Sequence, residues 1–291
     1  MMEHMNKRTK MILAIAGIYI AIFLILAPFD YPFSEFLTSH ANSWFIAFGA
    51  RLGPLPAALV CGYCILALGT IREKWYLYRV AAIAVIAVAA FNILKPDLSS
   101  LLEFLFMTVL WAIMFAAIRM IPTPENTNAN EHILQFGILV TLISSGLVQL
   151  LKLLWGRPRF YALQLFGLDF VPWYRVAGFA MRSDAFRSFP SGHTAGAAAI
   201  FFLVFLTQLF PSRFVRRWKL WVVAGIYTLI IASTRIMAGM HFLTDVMGGC
   251  GVYLLTMVIL AALFQRNGID IWAELEQEEL NDEKPMENKT A

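Results

Sequence analysis

The chain has 291 residues, of which 59% are hydrophobic and only 14% charged, with a formal net charge of +4 and a mean hydropathy of +0.67. Soluble domains hold about 45 to 50% apolar and about 25% charged residues, which excludes a soluble enzyme or a nucleic-acid-binding domain and leaves a polytopic membrane protein. The sum of the charges matters less than where the basic residues fall.

A spanning helix needs about 20 mostly apolar residues, since each rises about 1.5 Å through a hydrocarbon core of roughly 30 Å. The first candidate, residues 11–28, follows Lys7, Arg8 and Lys10. It is long for the apolar region of a cleaved leader and no small-x-small site stands out after it, so an uncleaved signal anchor is expected. Residues 29–53 mix Phe33, Phe36, Trp44, Phe45 and Phe48 with polar side chains, which reads as an amphipathic segment in the membrane interface. Further spans are expected at 54–71, 78–95, 101–120 and 133–155, then at 192–210, 219–239 and 242–264. The fourth is the weakest, because Glu103 sits in its first turn and only Lys95–Ser100 separates it from the third. The expected fold is all-α, a bundle of seven or eight spans. It divides into N-terminal spans with the interfacial segment (1–132), a core carrying the chemistry (133–264) and an acidic cytoplasmic tail (265–291). Cys61, Cys64 and Cys250 all fall inside apolar spans and suggest packing, not a disulfide framework or a metal site.

Placing Lys7, Arg8 and Lys10 in the cytoplasm and alternating through eight spans also puts Arg72, Lys74 and Arg79 inside, together with Arg213, Arg216, Arg217 and Lys219. Three basic clusters thus agree on one orientation. In that orientation the ends of the later spans that carry the polar residues face the extracytoplasmic side.

Those residues fall in three segments. Lys152 stands near the end of the fifth span, and Gly156, Arg157, Pro158 and Arg159 follow. A lysine there can simply snorkel to the interface, but a Gly-Arg-Pro-Arg turn can fold Arg159 back beside it, and an arginine fork suits two phosphate oxygens. Arg157 is ambiguous at this point, since it can also reach a lipid headgroup. The connection 156–189 is rich in aromatic residues, from Phe160 to Phe186, and reads as a lid on the membrane surface. The second segment, Pro190-Ser191-Gly192-His193, opens a run of small residues. It has the form of a helix N-terminus, where Ser191 caps, Gly192 allows close approach and free N–H groups attract an anion. His193 on that first turn points at the anion or satisfies a loop carbonyl. The third runs from Arg235 through His241 to Asp245. Four residues apart on a helix, His241 and Asp245 share a face and can hydrogen-bond, which would fix the ring tautomer and sharpen the other nitrogen as a nucleophile.

Lys152-x6-Arg159, Pro190-Ser191-Gly192-His193 and Arg235-x5-His241-x3-Asp245 together resemble the type 2 phosphatidic acid phosphatase superfamily, over about residues 133–264. Phe160 stands where that pattern has proline and Thr234 where it has serine. The resemblance implies a hydrolase without metal or cofactor: His241 attacks phosphorus, Asp245 orients it and His193 protonates the leaving alcohol. Lys152, Arg159, Ser191, Gly192 and Arg235 would hold the oxygens. It further implies a lipid phosphate or diphosphate substrate at the outer face of the plasma or inner membrane. A lipid phosphotransferase with another acceptor, or a transporter binding an anionic headgroup, stand beside it. Oligomeric state leaves no mark in the sequence.

Overall fold

A computed structural model describes residues 7–72, 127–178, 183–207 and 216–272. Every regular element among them is helical: α1 (Lys7–Leu26), α2 (Asp30–Ser39), α3 (Ser43–Leu52), α4 (Leu55–Ile71), α5 (Thr127–Trp155), α6 (Phe160–Phe166), α7 (Gly192–Ala198), α8 (Leu203–Leu206), α9 (Arg217–Met237) and α10 (Leu243–Arg266). Short 3-10 turns join α1 to α2 and α7 to α8. Among the described residues five stretches are long and apolar enough to cross a membrane: Thr9–Ser39, Ser43–Gly69, Glu131–Phe166, Arg217–Met237 and Leu243–Arg266, with Gly192–Phe205 as a shorter apolar helix. The chain is an all-α integral membrane protein. The spans expected at 78–95 and 101–120, and the tail past residue 272, lie outside the described residues.

The helices sort by what surrounds them. α4 is apolar on all sides and buried, as a helix at the centre of a bundle must be: Cys61, Cys64, Leu66 and Ala67 sit in one core with Phe136 of α5, Phe202 and Phe205 of the α7–α8 helix, and Tyr253 and Met257 of α10. Small groups set the spacing. A side-chain carbon at Gly137 would lie 2.8 Å from Cys64 Sγ and 2.5 Å from the Phe202 ring, so α4, α5 and α7 approach as closely as small residues allow in membranes. The three cysteines are free thiols. α1, by contrast, exposes Met11, Ile15, Ile18, Ile22 and Ile25, an outward apolar surface suited to lipid, and touches α10 through Tyr19, whose hydroxyl donates to Met247 O at 2.5 Å.

The segment 29–53 is more than an interfacial layer. It folds into α2 and α3, and both pack on α9. Thr38 Oγ1 donates to Ile236 O at 3.3 Å, and Gly49 lies where a side-chain carbon would meet Thr234 Oγ1 at 1.7 Å. The sequence pattern registered its aromatic, amphipathic character but carried no sign of these partners.

Candidate active site

Four helix ends meet at one end of the bundle: the last turns of α5 and α9, with Lys152 and Arg235, and the first turns of α7 and α10, with His193 and Asp245. The local sequence explains each end. α5 stops at Trp155 because Gly156 takes φ +61°, a left-handed position that glycine adopts without strain. A side chain there would also collide with Gly178 O at 1.7 Å. Ser191 caps α7, accepting from Thr194 N at 3.4 Å and Thr194 Oγ1 at 3.0 Å. Asp245 closes the first turn of α10 by accepting from Phe242 N at 2.8 Å.

The three sequence segments converge. A carbon built on Gly192 would stand 3.7 Å from Lys152 Nζ, and His193 lies within electrostatic reach of Lys152, Arg159, Arg235 and His241. Lys152, Arg159, Arg235, His241 and Asp245 are all buried. Arg159 caps α6, its Nη2 paired with the exposed Asp184 at 2.8 Å, its Nη1 against Met240 Sδ and its Nε buried with no partner among the described residues. Arg235 donates from Nη2 to Ile46 O at 2.6 Å and from Nε to Thr234 Oγ1 at 3.2 Å. The threonine at 234 therefore holds the Arg235 side chain while its hydroxyl oxygen lies over Gly49. Phe160, the other departure, is buried between Tyr31 and Phe242, where its ring ties α6 to α2 and α10.

His241 differs from expectation in its partner. α10 begins at Leu243, so His241 lies in the turn before it and shares no helical face with Asp245. Its Nδ1 is 2.8 Å from Ser188 O and 3.8 Å from Asp245 Oδ2. The first is a hydrogen bond and the second lies beyond hydrogen-bonding range. A carbonyl can only accept, so Nδ1 carries the proton and Nε2 is the free base. Burial pushes the ring down to about 4, against the upward pull of Asp245, and Lys152 and Arg159 push the same way as burial.

Asp245 is instead the hub of a buried network. Its Oδ2 accepts from Ser188 Oγ at 2.5 Å and Phe242 N at 2.8 Å, and its Oδ1 from Arg157 Nη1 at 2.5 Å. Ser191 N donates to Asp245 O at 2.8 Å. Arg157 does not reach a headgroup: it is fully buried, donates to Val171 O, Thr244 Oγ1, Asp245 and Asp30, and lies 4.3 Å over the Phe242 ring. Ser188 and Asp30 were missed in the sequence. Asp30 had one signal, a carboxylate inside an otherwise apolar stretch, which is costly in a membrane without a partner. The described parts of 156–189 form α6, which exposes Leu165 and Phe166, and a loop that exposes Tyr174 and Val176, and they supply Arg157, Arg159 and Ser188 to the site.

Residues 135–269 match the family model described as the PAP2 superfamily. This segment belongs to that superfamily. Phosphatidylglycerophosphatase B of Bacillus subtilis (strain 168) is 32% identical over 89 residues, covering 30% of this chain and 40% of that protein. The match therefore spans less than half of that relative's length. A solved structure, a transmembrane PAP2 type phosphatidylglycerolphosphate phosphatase from Bacillus subtilis, aligns over 85% of this chain and 94% of its own at 18% identity and a TM-score of 0.41. A likeness that loose carries no argument. All three motif segments fall within the PAP2 match, whereas Asp30, Ile46 and Gly49 fall outside it.

Proposed function

We propose that this chain is an integral-membrane lipid phosphatase that removes a terminal phosphate from a lipid phosphate or diphosphate through a phosphohistidine on His241. One observation carries the reading: among the described residues Arg157 is matched by the buried carboxylates of Asp30 and Asp245, while Lys152, Arg159 and Arg235 form no ion pair with a buried carboxylate and stand beside two histidines. Such a pocket attracts a phosphate dianion and resists a neutral or cationic ligand.

In the proposed reaction His241 Nε2, a free base at neutral pH, attacks phosphorus as the bond to the lipid oxygen breaks. His193, protonated as the phosphate dianion enters among the cations, gives that oxygen its proton. It then takes a proton from water, which attacks the phosphohistidine and releases inorganic phosphate, restoring both rings. Lys152, Arg159 and Arg235 meet the charge on the phosphoryl oxygens as it spreads in the transition state. Ser191 accepts from Thr194 and so keeps its own O–H proton to donate, and Gly192 leaves room for an oxygen beside Lys152.

The extracytoplasmic placement rests on the basic clusters: α9 begins at Arg217, next to Arg216, and ends with Arg235 in the site. Similarity to a phosphatidylglycerophosphatase makes phosphatidylglycerophosphate the first lipid to try, alongside phosphatidic acid and prenyl diphosphates. The test is phosphate release by the purified protein from this panel with EDTA present, beside His241→Ala. Release that survives EDTA and vanishes in the variant supports the reading; equal release by the variant overturns the mechanism, and loss with EDTA overturns metal independence.

A further inference from the structure

Asp30 belongs to none of the three motifs, and resting on the phosphatase reading we infer that Asp30 and Arg157 form a buried positioning pair that holds Asp245 and thereby aims the His241 nucleophile. Asp30 comes from α2, and its contacts reach 127 residues to Arg157 and 214 residues to Thr244. It lies outside the segment that matches the PAP2 model, so the N-terminal part of the chain completes the site.

The geometry leaves little slack. Asp30 Oδ1 accepts from Thr244 N at 2.7 Å, and Oδ2 from Thr244 Oγ1 at 2.5 Å and Arg157 Nη2 at 2.9 Å. Arg157 Nη1 reaches across to Thr244 Oγ1 at 3.0 Å and Asp245 Oδ1 at 2.5 Å. Two carboxylates from different parts of the chain thus clamp one guanidinium and the first turn of α10 between them. What Asp245 does with its other oxygen decides where His241 points. Oδ2 holds Ser188 Oγ and Phe242 N, and Ser188 is the residue whose carbonyl accepts the hydrogen bond from His241 Nδ1, while Phe242 is its chain neighbour. A shift of Asp245 moves both anchors of the ring.

Stability alone is a weak reason for such a cluster. Replacing a buried ion triad with well-packed apolar side chains is often neutral or stabilising, and Asp30 is itself buried, where a leucine would cost less to bury. Misplacement of a reacting group by about 1 Å costs on the order of 100-fold in rate, which gives the cluster a function that packing does not.

The electrostatics supply a signature that a purely structural role lacks. His241 faces Asp245, Lys152 and Arg159 and lies within reach of His193. Arg157 divides its charge between Asp30 and Asp245. Removing the charge of Asp30 commits Arg157 to Asp245 alone and weakens the hold of Asp245 on a His241 proton. Removing the charge of Arg157 strengthens that hold. The acid limb of kcat/KM, where His241 takes up its proton, then moves to lower pH in Asp30→Asn and to higher pH in Arg157→Gln.

The experiment compares wild type, His241→Ala, Asp30→Asn, Arg157→Gln, Thr244→Val and Thr244→Ser in detergent, with phosphate release, inhibition by inorganic phosphate and thermal unfolding read together. Expected for Asp30→Asn is a fall in kcat of about 10- to 100-fold, with KM and phosphate inhibition within twofold of wild type and the acid limb at lower pH, opposite to its displacement in Arg157→Gln. Thr244 carries the same test if either charge variant fails to fold: valine removes the hydroxyl between Asp30 and Arg157 and lowers kcat, and serine restores it. Unchanged kcat per folded molecule in Asp30→Asn or Thr244→Val overturns the inference. So does a raised KM at constant kcat, which would make the pair a substrate contact. A wild-type protein that releases no phosphate refutes the phosphatase reading itself, a result separate from either.

Discussion

Gly249 offers the sharpest test of how the site is assembled, because its effect is fixed by backbone. It lies on α10 one turn after Asp245, and a side-chain carbon built there would stand 2.2 Å from Ser191 O and 3.1 Å from Ser191 C. Ordinary carbon–oxygen contacts lie at about 3.3 Å or more, so Gly249→Ala forces α10 and the Pro190–Ser191 turn apart by about 1 Å. The neighbouring bond from Ser191 N to Asp245 O, 2.8 Å in the native protein, then lengthens past hydrogen-bonding range. Overpacking of this kind costs about 1 to 3 kcal/mol of stability, and the displaced Ser191, Gly192 and His193 cost on the order of 100-fold in kcat. Gly146→Ala on α5 is the control, since nothing lies within 4 Å of a carbon built there. The alanine should leave activity intact and stabilise the helix by about 0.5 to 1 kcal/mol. Phosphate release and thermal unfolding in detergent measure both. Activity within twofold of wild type in Gly249→Ala would refute the claim that α7 and α10 meet at this spacing.

Further outcomes follow from the same geometry. His241 sits folded at about 4 against an ordinary value of about 6.5. Between those values the unfolded chain binds more protons, so stability rises with pH and is lost as pH falls. The loss from pH 7 to 5 is about 2 kcal/mol, and His241→Asn should abolish that part of the slope in denaturant titrations; an identical slope would contradict the buried neutral ring. Asp184→Asn removes an exposed carboxylate from Arg159 Nη2. Exposed pairs are worth up to about 1 kcal/mol, so KM for a lipid phosphate should fall by up to about fivefold. A higher KM would mean that Asp184 holds the substrate instead of competing with it.

The sequence made the convergence legible because each motif marks a helix end: a glycine and proline stopping α5, a serine capping α7, and a basic residue closing α9. Ends of membrane helices collect at the two surfaces, so three such ends in the right order already imply a shared pocket. The error over His241 came from extending α10 two residues too far, which turned a turn residue into a partner on a helical face. Ser188 stayed hidden because its contribution to the histidine is a main-chain carbonyl, which leaves no pattern. The pairing of Asp30 with Arg157 stayed hidden because it depends on tertiary contacts between α2 and the α5–α6 turn, and neither has a local spacing that announces the other. The threonine at 234 was visible as a departure, yet its close packing on Gly49, hydroxyl oxygen nearest, depends on a tertiary contact that no local pattern announces.

The central claim is that His241 carries the phosphoryl group. The direct measurement is rapid acid-free quenching of the purified protein during turnover of a lipid phosphate, followed by peptide mass spectrometry under alkaline conditions. A phosphoryl group on His241, absent from His241→Ala and accumulating in His193→Ala, is the expected result. Steady phosphate release with His241 unmodified in every sample, or a phosphoryl group on another residue, would contradict the account.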